Sequence, residues 1–343
     1  MLSPIAMRHY VSVMEAKGVS ASTLLTGVGV ETADILAPDF TAEPSQYRAV
    51  VSNILKLDAS SGIGFDMGLK LTVQDMGALG YAVMTCKSIR DTVKLWNRYG
   101  KTLVGNLLEL DIVVEEIDPD VVSIEYRGRD ILDPVFRFQV EEALGMLMLE
   151  QSLVGEAPIV ERVSLAYPAP RHEHRYHELF GDTVRFGASR NRITMDKTWF
   201  NKNVRTSDDG FNRVCLEYCE SSLRQMECNR PVTQRLRGYL LSRSGALPSL
   251  AKSAAALNIT ERTLRRRLEE EGTTFRNVIE AWRMDRAREY FRQPDPSAKE
   301  VAYLLGFNEA SALRHAFKKW TGQTINEYRN QVLASKPKAF GHH

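Results

Sequence analysis

Residues 250–268 read LAKSAAALNITERTLRRRL, and residues 298–317 read AKEVAYLLGFNEASALRHAF. Each stretch has a short segment with helical apolar spacing, a break of a few residues, and a second such segment. The apolar positions of the two stretches correspond in order: Ala254 with Ala302, Leu257 with Leu305, Leu264 with Leu313, and Leu268 with Phe317. This internal repeat predicts two helix-turn-helix units, at about 250–270 and 298–320.

The second helix of each unit is amphipathic. Leu264 and Leu268 are spaced i, i+4, which predicts that they point inward and leave the basic side chains outside. Arginine suits a two-pronged hydrogen bond to guanine, and lysine suits phosphate, so the outward side chains predict DNA contacts. The outward residues are Arg262, Arg265 and Arg266, with Arg267 toward one flank, and then Ser311, Arg314, His315 and Lys318, with Lys319 beyond.

The turns carry matching chemistry. Thr260 is expected to accept a hydrogen bond from the free amides that begin the second helix of the first unit, and it is also a candidate DNA-contacting residue. In the second unit Asn308 or Glu309 must fill this role, and glutamate is a poor cap, so a looser helix start is expected there. Gly306 is expected to supply a left-handed position in that turn.

A helical pattern over residues 276–292 joins the two units. At roughly 1.5 Å per residue its length is about 26 Å. A helix of this length could hold the two units near successive major grooves, which are about 34 Å apart, so part of the DNA specificity is expected to be indirect. The alternative is a helical bundle whose arginines form a solvated face, and the paired, capped copies argue against it.

Charge divides the chain in the same place. Residues 231–335 hold 18 Lys and Arg against 11 Asp and Glu, whereas residues 1–230 hold 25 against 32, within an overall charge of +2. One acidic and one basic part is expected when only one domain meets a polyanion. Strand patterns also stop near Pro231, which breaks the preceding helix. The sequence therefore predicts two domains, at 1–228 and 232–335, of which the second is expected to bind DNA.

The second part closely resembles the DNA-binding domain of the AraC/XylS family. The resemblance lies in Thr260–Leu268, Gly272–Phe275, Arg283–Ala287, Val301–Phe307, Phe317–Gly322 and Glu327–Arg329. It implies that Arg262, Arg265, Arg266, Ser311, Arg314 and His315 lie where the family reads bases. Two positions depart from the pattern: Leu313 replaces a usual aromatic residue, and His315 replaces a common arginine, which puts base readout by the second unit in doubt.

The first part reads as α+β with a largely antiparallel sheet. Helices are predicted over residues 8–17, 46–57, 89–103, 134–154 and 208–227. Alternation at 108–116 and 121–126 around the turn Asp118-Pro119-Asp120 predicts a hairpin. Further strands are predicted at 160–167 and 183–186, and residues 192–195 are expected to pair back after a turn at 189–191.

This part resembles the arabinose-binding-like effector domain found in regulators of the ornithine-utilisation type. The similarity lies in Gly77–Ala82, Tyr167–Pro170, Phe186–Ala188 and Asn191, and it is diffuse. It does not resemble the cupin barrel of the arabinose sensor. The resemblance implies small-molecule sensing and a homodimer, without naming the ligand.

Several residues suggest other chemistry. The segment 171–177 holds three histidines and a glutamate, which is compatible with a metal site but also with an exposed polar helix start. Cys215 and Cys219, with Cys228 beyond, would sense redox change only if exposed near basic groups, and buried core cysteines are commoner. Asp111, Glu115 and Glu116 are best explained as solvent-facing carboxylates. A further set could line either an effector pocket or the core: Trp96, Tyr99, Tyr126, Phe136 and Phe138.

Taken together, the sequence predicts a transcription regulator rather than an enzyme. No nucleophile elbow, P-loop or dinucleotide fingerprint occurs, and no metal ligand or cofactor is assigned. No secretory signal or membrane-length apolar run is found, and the four cysteines suggest no disulfide framework, so a cytoplasmic protein is expected. The expected partners are double-stranded DNA, a small organic effector, RNA polymerase (for an activator) and a second copy of the chain. The alternatives are a ligand-independent regulator, or a metal- or thiol-chemistry domain fused to a DNA-binding domain.

Overall fold

Five short strands in the first 200 residues form one mixed sheet. They are β1 (Asp111–Glu116), β2 (Val121–Arg127), β3 (Val160–Leu165), β4 (Val184–Phe186) and β5 (Arg192–Asp196). The strand order is β1-β2-β5-β3-β4, and all pairs are antiparallel except β3 with β4. The expected α+β class with a largely antiparallel sheet is confirmed.

The computed structural model describes residues 1–37, 40–58, 61–117, 119–241, 247–292 and 297–335. Its contacts divide the chain into two compact units, Met1–Asn229 and Arg230–His343. Within the described ranges, no helix is both long enough and apolar enough to cross a membrane.

The predicted hairpin is present. β1 and β2 pair antiparallel with Ile112 opposite Tyr126, while Asp118 of the predicted turn lies outside the described residues. Both faces of β2 are buried. Ser123 and Glu125 are buried on one face, and the apolar residues are buried on the other. The Glu125 carboxylate accepts hydrogen bonds from three arginines, which lowers its pKa to about 2.

The expected pairing of residues 192–195 back onto the preceding strand is wrong. β5 lies between β2 and β3, with Met195 opposite Val122 and Ile193 opposite Val163. Ile193 and Met195 are fully buried, so this strand suits the centre of a sheet. The three-residue β4 instead takes the edge, parallel to β3.

Helices surround the sheet of the first unit. The predicted helix over 134–154 divides at Glu150 into two, and the one over 89–103 continues beyond Leu95 as a π-helical segment, Trp96–Val104. The α-helices are α1 (Ile5–Glu15), α2 (Ala21–Leu24), α3 (Thr32–Leu36), α4 (Pro44–Leu57), α5 (Ile63–Leu69), α6 (Ala78–Met84), α7 (Ile89–Leu95), α8 (Pro134–Leu149), α9 (Gln151–Val154), α10 (Glu173–Phe180), α11 (Lys197–Phe200) and α12 (Asp209–Asn229).

The second unit is helical throughout its described residues. Its core joins apolar side chains from every helix, among them Leu236, Leu264, Trp282, Phe317 and Ile325. The helices are α13 (Val232–Leu241), α14 (Leu250–Ala256), α15 (Glu261–Glu270), α16 (Phe275–Phe291), α17 (Ala298–Leu304), α18 (Ala310–Thr321) and α19 (Ile325–Ser335).

Helix α8 crosses the core of the first unit with α5 packed directly on its backbone. Gly64 and Gly68 permit this approach, since a Cβ on Gly68 would lie 2.1 Å from the carbonyl oxygen of Glu142. The side chain of Glu142 is buried and accepts hydrogen bonds from Tyr10 Oη at 2.8 and 2.9 Å and from Asn106 Nδ2 at 3.3 Å. Burial raises the pKa of Glu142 to about 7 despite these hydrogen bonds.

We predict that Glu142→Gln weakens the pH dependence of stability. Because burial favours the neutral acid, the contribution of Glu142 is complete below its unfolded pKa and is lost as pH rises through about 7. Between pH 5 and pH 8 the free energy of unfolding of the first unit should fall by about 2 to 3 kcal/mol more in the wild type than in the variant. Urea denaturation, with hydrogen exchange of the α8 amides to identify the unit, measures this.

The control is Glu161→Gln, which removes an exposed carboxylate from β3. It should keep the wild-type pH dependence. An equal pH dependence in Glu142→Gln and the wild type would contradict the prediction.

Candidate nucleic-acid interface

The first helix-turn-helix is formed by α14 and α15. Ser249 begins α14 by accepting a hydrogen bond from Lys252 N, and the chain turns at Asn258, whose φ is +54°. Asparagine tolerates this left-handed conformation better than most residues. The turn is closed by a hydrogen bond from Ile259 N to Ala254 O at 3.0 Å. The structure thus gives Asn258 the role that the sequence suggested only for Gly306.

The second helix-turn-helix repeats this geometry with α17 and α18. Ser297 begins α17 in a capping box with Glu300, and Gly306 turns the chain with φ of +71°. Phe307 N donates to Ala302 O at 2.8 Å, which corresponds to the closing bond of the first turn. Gly306 therefore has the left-handed conformation predicted for it.

The two second helices begin differently. Thr260 Oγ1 accepts from Thr263 N at 3.1 Å and caps α15 as expected. Glu309 occupies the same position before α18 but forms no capping hydrogen bond, and its carboxylate instead accepts from Ser311 Oγ at 2.9 Å. The looser start expected for the second unit is consistent with this missing cap.

Two partly buried arginine side chains that sequence reasoning missed support the turns. Arg235 on α13 donates from Nη2 to Leu257 O at 2.7 Å. Arg283 on α16 donates from Nε to Leu305 O at 3.0 Å and from Nη2 to Gly306 O at 3.1 Å, and its guanidinium lies over the Phe307 ring. In both units the arginine precedes the accepting leucine by 22 residues. Extending the internal repeat upstream by that distance would have found the pair.

The apolar faces of the two second helices pack inward. Leu264 and Leu268 of α15, and Leu313 and Phe317 of α18, are at most 1% exposed. Phe317 packs edge-on against Phe291, with ring centroids 5.4 Å apart. Leu313, which stands where the family commonly has an aromatic residue, is fully buried in this core.

The predicted DNA-contacting residues lie outside that core. Arg265 and Arg266 are 64% and 68% exposed and form ion pairs with Glu261 at 3.7 Å and Glu270 at 3.6 Å. Exposed pairs of this kind contribute about 0 to 1 kcal/mol, so they leave the guanidinium groups available to another anion. The exposed side chains are those of Thr260, Arg262, Arg265, Arg266, Ser311, Arg314, His315 and Lys318.

Each unit can therefore present one helix with a packed face and a polar, largely basic opposite face. Helix α16, at 17 residues, connects them and spans about 26 Å at 1.5 Å per residue. Such helices suit insertion into a major groove, where arginine side chains reach base edges and phosphates.

The histidine side chains of residues 171–177 do not meet around one point, as a metal site would require. His172 is buried and its Nε2 is 2.8 Å from Glu141 Oε1, whereas His177 Nδ1 is 2.9 Å from Gly181 O. Tyr176 also donates to Glu141, at 2.7 Å. The exposed polar helix start that the sequence suggested fits Glu173, His174 and His177, which are exposed, but His172 and Tyr176 are buried. Within the described ranges no cluster of three metal-ligating side chains occurs.

The two helical cysteines are buried. Desolvation raises the pKa of Cys215 and raises that of Cys219 to about 11. Thiols in this state are poor nucleophiles at neutral pH. The side chain of Cys228 lies outside the described residues.

The carboxylates of β1 face solvent and take part in ion pairs. Asp111 pairs with Lys101, Glu115 with Arg127 and Arg192, and Glu116 with Arg90 and Lys197. These carboxylates are explained by ion pairs with basic side chains rather than by a role as catalytic acids or bases.

The five candidate pocket aromatics separate into two sets. Trp96 and Tyr126 line a cavity of about 40 Å³ between the sheet, α7 and α8. Phe136 packs on Gly128, and Phe138 packs edge-on against Tyr10 at 5.7 Å. Tyr99 donates a hydrogen bond to Glu220. Only the first two therefore remain candidates for contact with a ligand in this cavity.

Comparison with known proteins gives matches in both units. The family profile described as "Arabinose-binding domain of AraC transcription regulator, N-term" matches residues 18–204, more than half of the chain. A helix-turn-helix domain profile matches residues 253–331.

Curated relatives match along almost the whole chain. The Ornithine utilization regulator of Pseudomonas aeruginosa is 28% identical over 316 residues, covering 91% of this chain and 91% of that protein. An uncharacterized HTH-type transcriptional regulator of Mycobacterium tuberculosis is 29% identical over 329 residues, covering 94% of each. Among solved structures, the transcriptional regulator CdpR of Pseudomonas aeruginosa is 22% identical with a TM-score of 0.46, covering 95% of this chain and 98% of that one.

These relatives are named as transcription regulators, and neither matching profile is that of an enzyme. The two profiles occur in the order that the fold shows, an α+β unit followed by paired helix-turn-helix units. The chain belongs to the AraC/XylS family of DNA-binding transcription regulators, with an arabinose-binding-type domain at its N-terminal side.

Proposed function

We propose that the chain is an effector-controlled transcription activator that reads its operator with α15 and α18. The observation that carries this proposal is the repeated unit, in which two matched turns hold two helices with exposed basic or polar faces. The proposed DNA-binding domain is 232–335, and the proposed effector-binding and dimerisation domain is 1–228.

The two second helices are proposed to divide the work of DNA recognition. Arg262, Arg265 and Arg266 project from the well-capped α15, which favours direct base contacts by this helix. In α18, Ser311, Arg314 and His315 take the base-facing positions, with His315 where an arginine is common, while Lys318 favours the backbone. With the uncapped start of α18, this supports a larger share of specificity for the first unit and backbone anchoring by the second.

Regulation is proposed to come from a small organic effector bound in 1–228. Binding would shift the population of domain arrangements or dimer contacts. The favoured arrangement would let α15 and α18 engage DNA together and let the bound protein contact RNA polymerase. The arabinose-binding-type profile and the apolar cavity beside Trp96 support this part of the proposal.

We predict that Arg265→Ala weakens specific DNA binding by about 1 to 3 kcal/mol and relaxes preference at one base pair. The matched control is Arg276→Ala on α16, which removes the same charge from an 85% exposed side chain outside the second helices. Fluorescence anisotropy with the operator and single-base variants measures both. An equal loss on all sequences would show that Arg265 contacts the backbone instead.

We predict that residues 230–343 alone form a folded fragment that binds duplex DNA. The unit has its own apolar core and its own turn-supporting arginines, so its fold does not require the preceding residues. Binding should weaken steeply with salt, because phosphate contacts release counterions. Circular dichroism and anisotropy from 50 to 200 mM salt check this, and an unfolded or inert fragment would reject the proposed boundary.

We predict that a small organic compound raises the melting temperature of the full chain in metal-free buffer. A ligand that binds only the folded state at 100 times its Kd should add about 3 kcal/mol. A thermal-shift panel of amino acids, amines, fatty acids and aromatic acids tests this. Stabilisation by none of them would favour a ligand-independent regulator, and a requirement for zinc or a thiol would favour metal or thiol chemistry.

A further inference from the structure

An apolar cavity lies between the sheet and the helices of the first unit, and one carboxylate faces it. Its walls come from β1, β2, α7, the π-helical segment and α8, with Ile124, Tyr126 and Trp96 among them. The volume is about 40 Å³, enough for a few water molecules. Among the described residues that line it, Glu150 is the one acidic group and none is basic.

The carboxylate of Glu150 is left half-satisfied. The residue is 8% exposed, and its Oε1 is 2.8 Å from Thr92 Oγ1. Its Oε2 is buried without a hydrogen-bond partner among the described residues. A buried acid oxygen without a partner loses the hydrogen bonds that it makes to water, so a ligand that donates to it offsets that loss.

The Thr92 hydroxyl limits how Glu150 is stabilised. Thr92 Oγ1 lies 2.8 Å from Ile89 O as well as 2.8 Å from Glu150 Oε1, and it has a single proton for both. A protonated Glu150 resolves this, because it can donate to Thr92 while Thr92 donates to Ile89. Burial raises the pKa of Glu150 to about 8, in agreement with this arrangement.

A second small cavity adjoins the first. Trp96, Met146 and Glu150 line both, and the second, of about 20 Å³, continues past Val83 and Leu153. Methionine is flexible and adapts to irregular space, so movement of Met146 would join the two. The two cavities together are lined mainly by apolar side chains, and Glu150 borders both.

We propose that this cavity is the effector site and that it takes a small apolar monoamine, whose ammonium group binds Glu150 beside the rings of Trp96 and Tyr126. The proposal rests on the proposed function and gives its effector a chemical class. The carboxylate supplies the counter-charge and the aromatic walls supply cation–π attraction. A carboxylic acid or zwitterionic amino acid fits poorly, because the lining offers no basic group for its carboxylate.

Amine binding couples to the loss of a proton from Glu150. An alkylamine stays protonated up to about pH 10, as lysine does, so at pH 7 its binding requires Glu150 to ionise. Among the described residues, Tyr126 on β2 and Cys86 after α6 are the titratable groups that interact with Glu150, and burial raises the pKa of each. They remain neutral, so affinity should rise about tenfold per pH unit below pH 8 and level off above it.

The test uses n-butylamine, n-butanol, butyrate and ornithine with the full-length chain. Ligand-observed NMR and thermal shift measure affinity between pH 6 and pH 9. We expect n-butylamine to bind best, with the pH profile given above, and Glu150→Gln to weaken it at least tenfold while removing that profile. Butanol should bind wild type and Glu150→Gln alike, which reports that the cavity is intact in the variant, and Glu161→Gln should behave as wild type.

Three outcomes would overturn the proposal. These are no detectable binding of n-butylamine, binding that is unchanged in Glu150→Gln, and tighter binding of butyrate or ornithine than of the amine. If butyrate or another compound of the wider panel stabilises the chain, effector control stands and only the amine class fails. If no compound stabilises it, the proposed effector control fails as well.

Discussion

Both helix-turn-helix units depend on one kind of contact, an arginine that donates to the carbonyl of the residue directly after the first helix. Carbonyls at a helix end have no partner within the helix, and a turn only a few residues long gives water little room to replace one. Arg235 bonds to Leu257 O and Arg283 to Leu305 O, each across the same chain separation. Because each arginine comes from a preceding helix, the contact fixes the turn to the core and so orients the second helix.

The same constraint explains the left-handed residues in the turns. Asn258 and Gly306 reverse the chain so that the next amide bonds back to Ala254 or Ala302. The packed leucines then hold the second helix against the first, and its charged residues have no place except the outside. An exposed basic face is thus a consequence of how the turn is closed.

The first compact unit, Met1–Asn229, differs from the second because its core contains buried carboxylic acids. Glu142 is surrounded by hydrogen-bond donors, whereas Glu150 keeps one oxygen unpaired beside a cavity. Both lie on or just after α8, with their pKa values raised by burial. A fully bonded acid is explained by the fold alone, while an unpaired one facing open space is explained better by a ligand.

The sequence by itself determined the paired units and most of their outward residues. The signals are local: apolar spacing within one helix, a cap, and a repeat of short segments. The longer helices, such as α4, α8 and α12, and the β1–β2 hairpin were predicted for the same reason, as was the burial of Leu264 and Leu268. Tertiary structure alone decided the place of β5 and the burial of His172 against Glu141. Tertiary structure also decided that Glu150 faces a cavity. Contacts between segments far apart in the chain do not change the apolar spacing within either segment, so the sequence pattern does not reveal them.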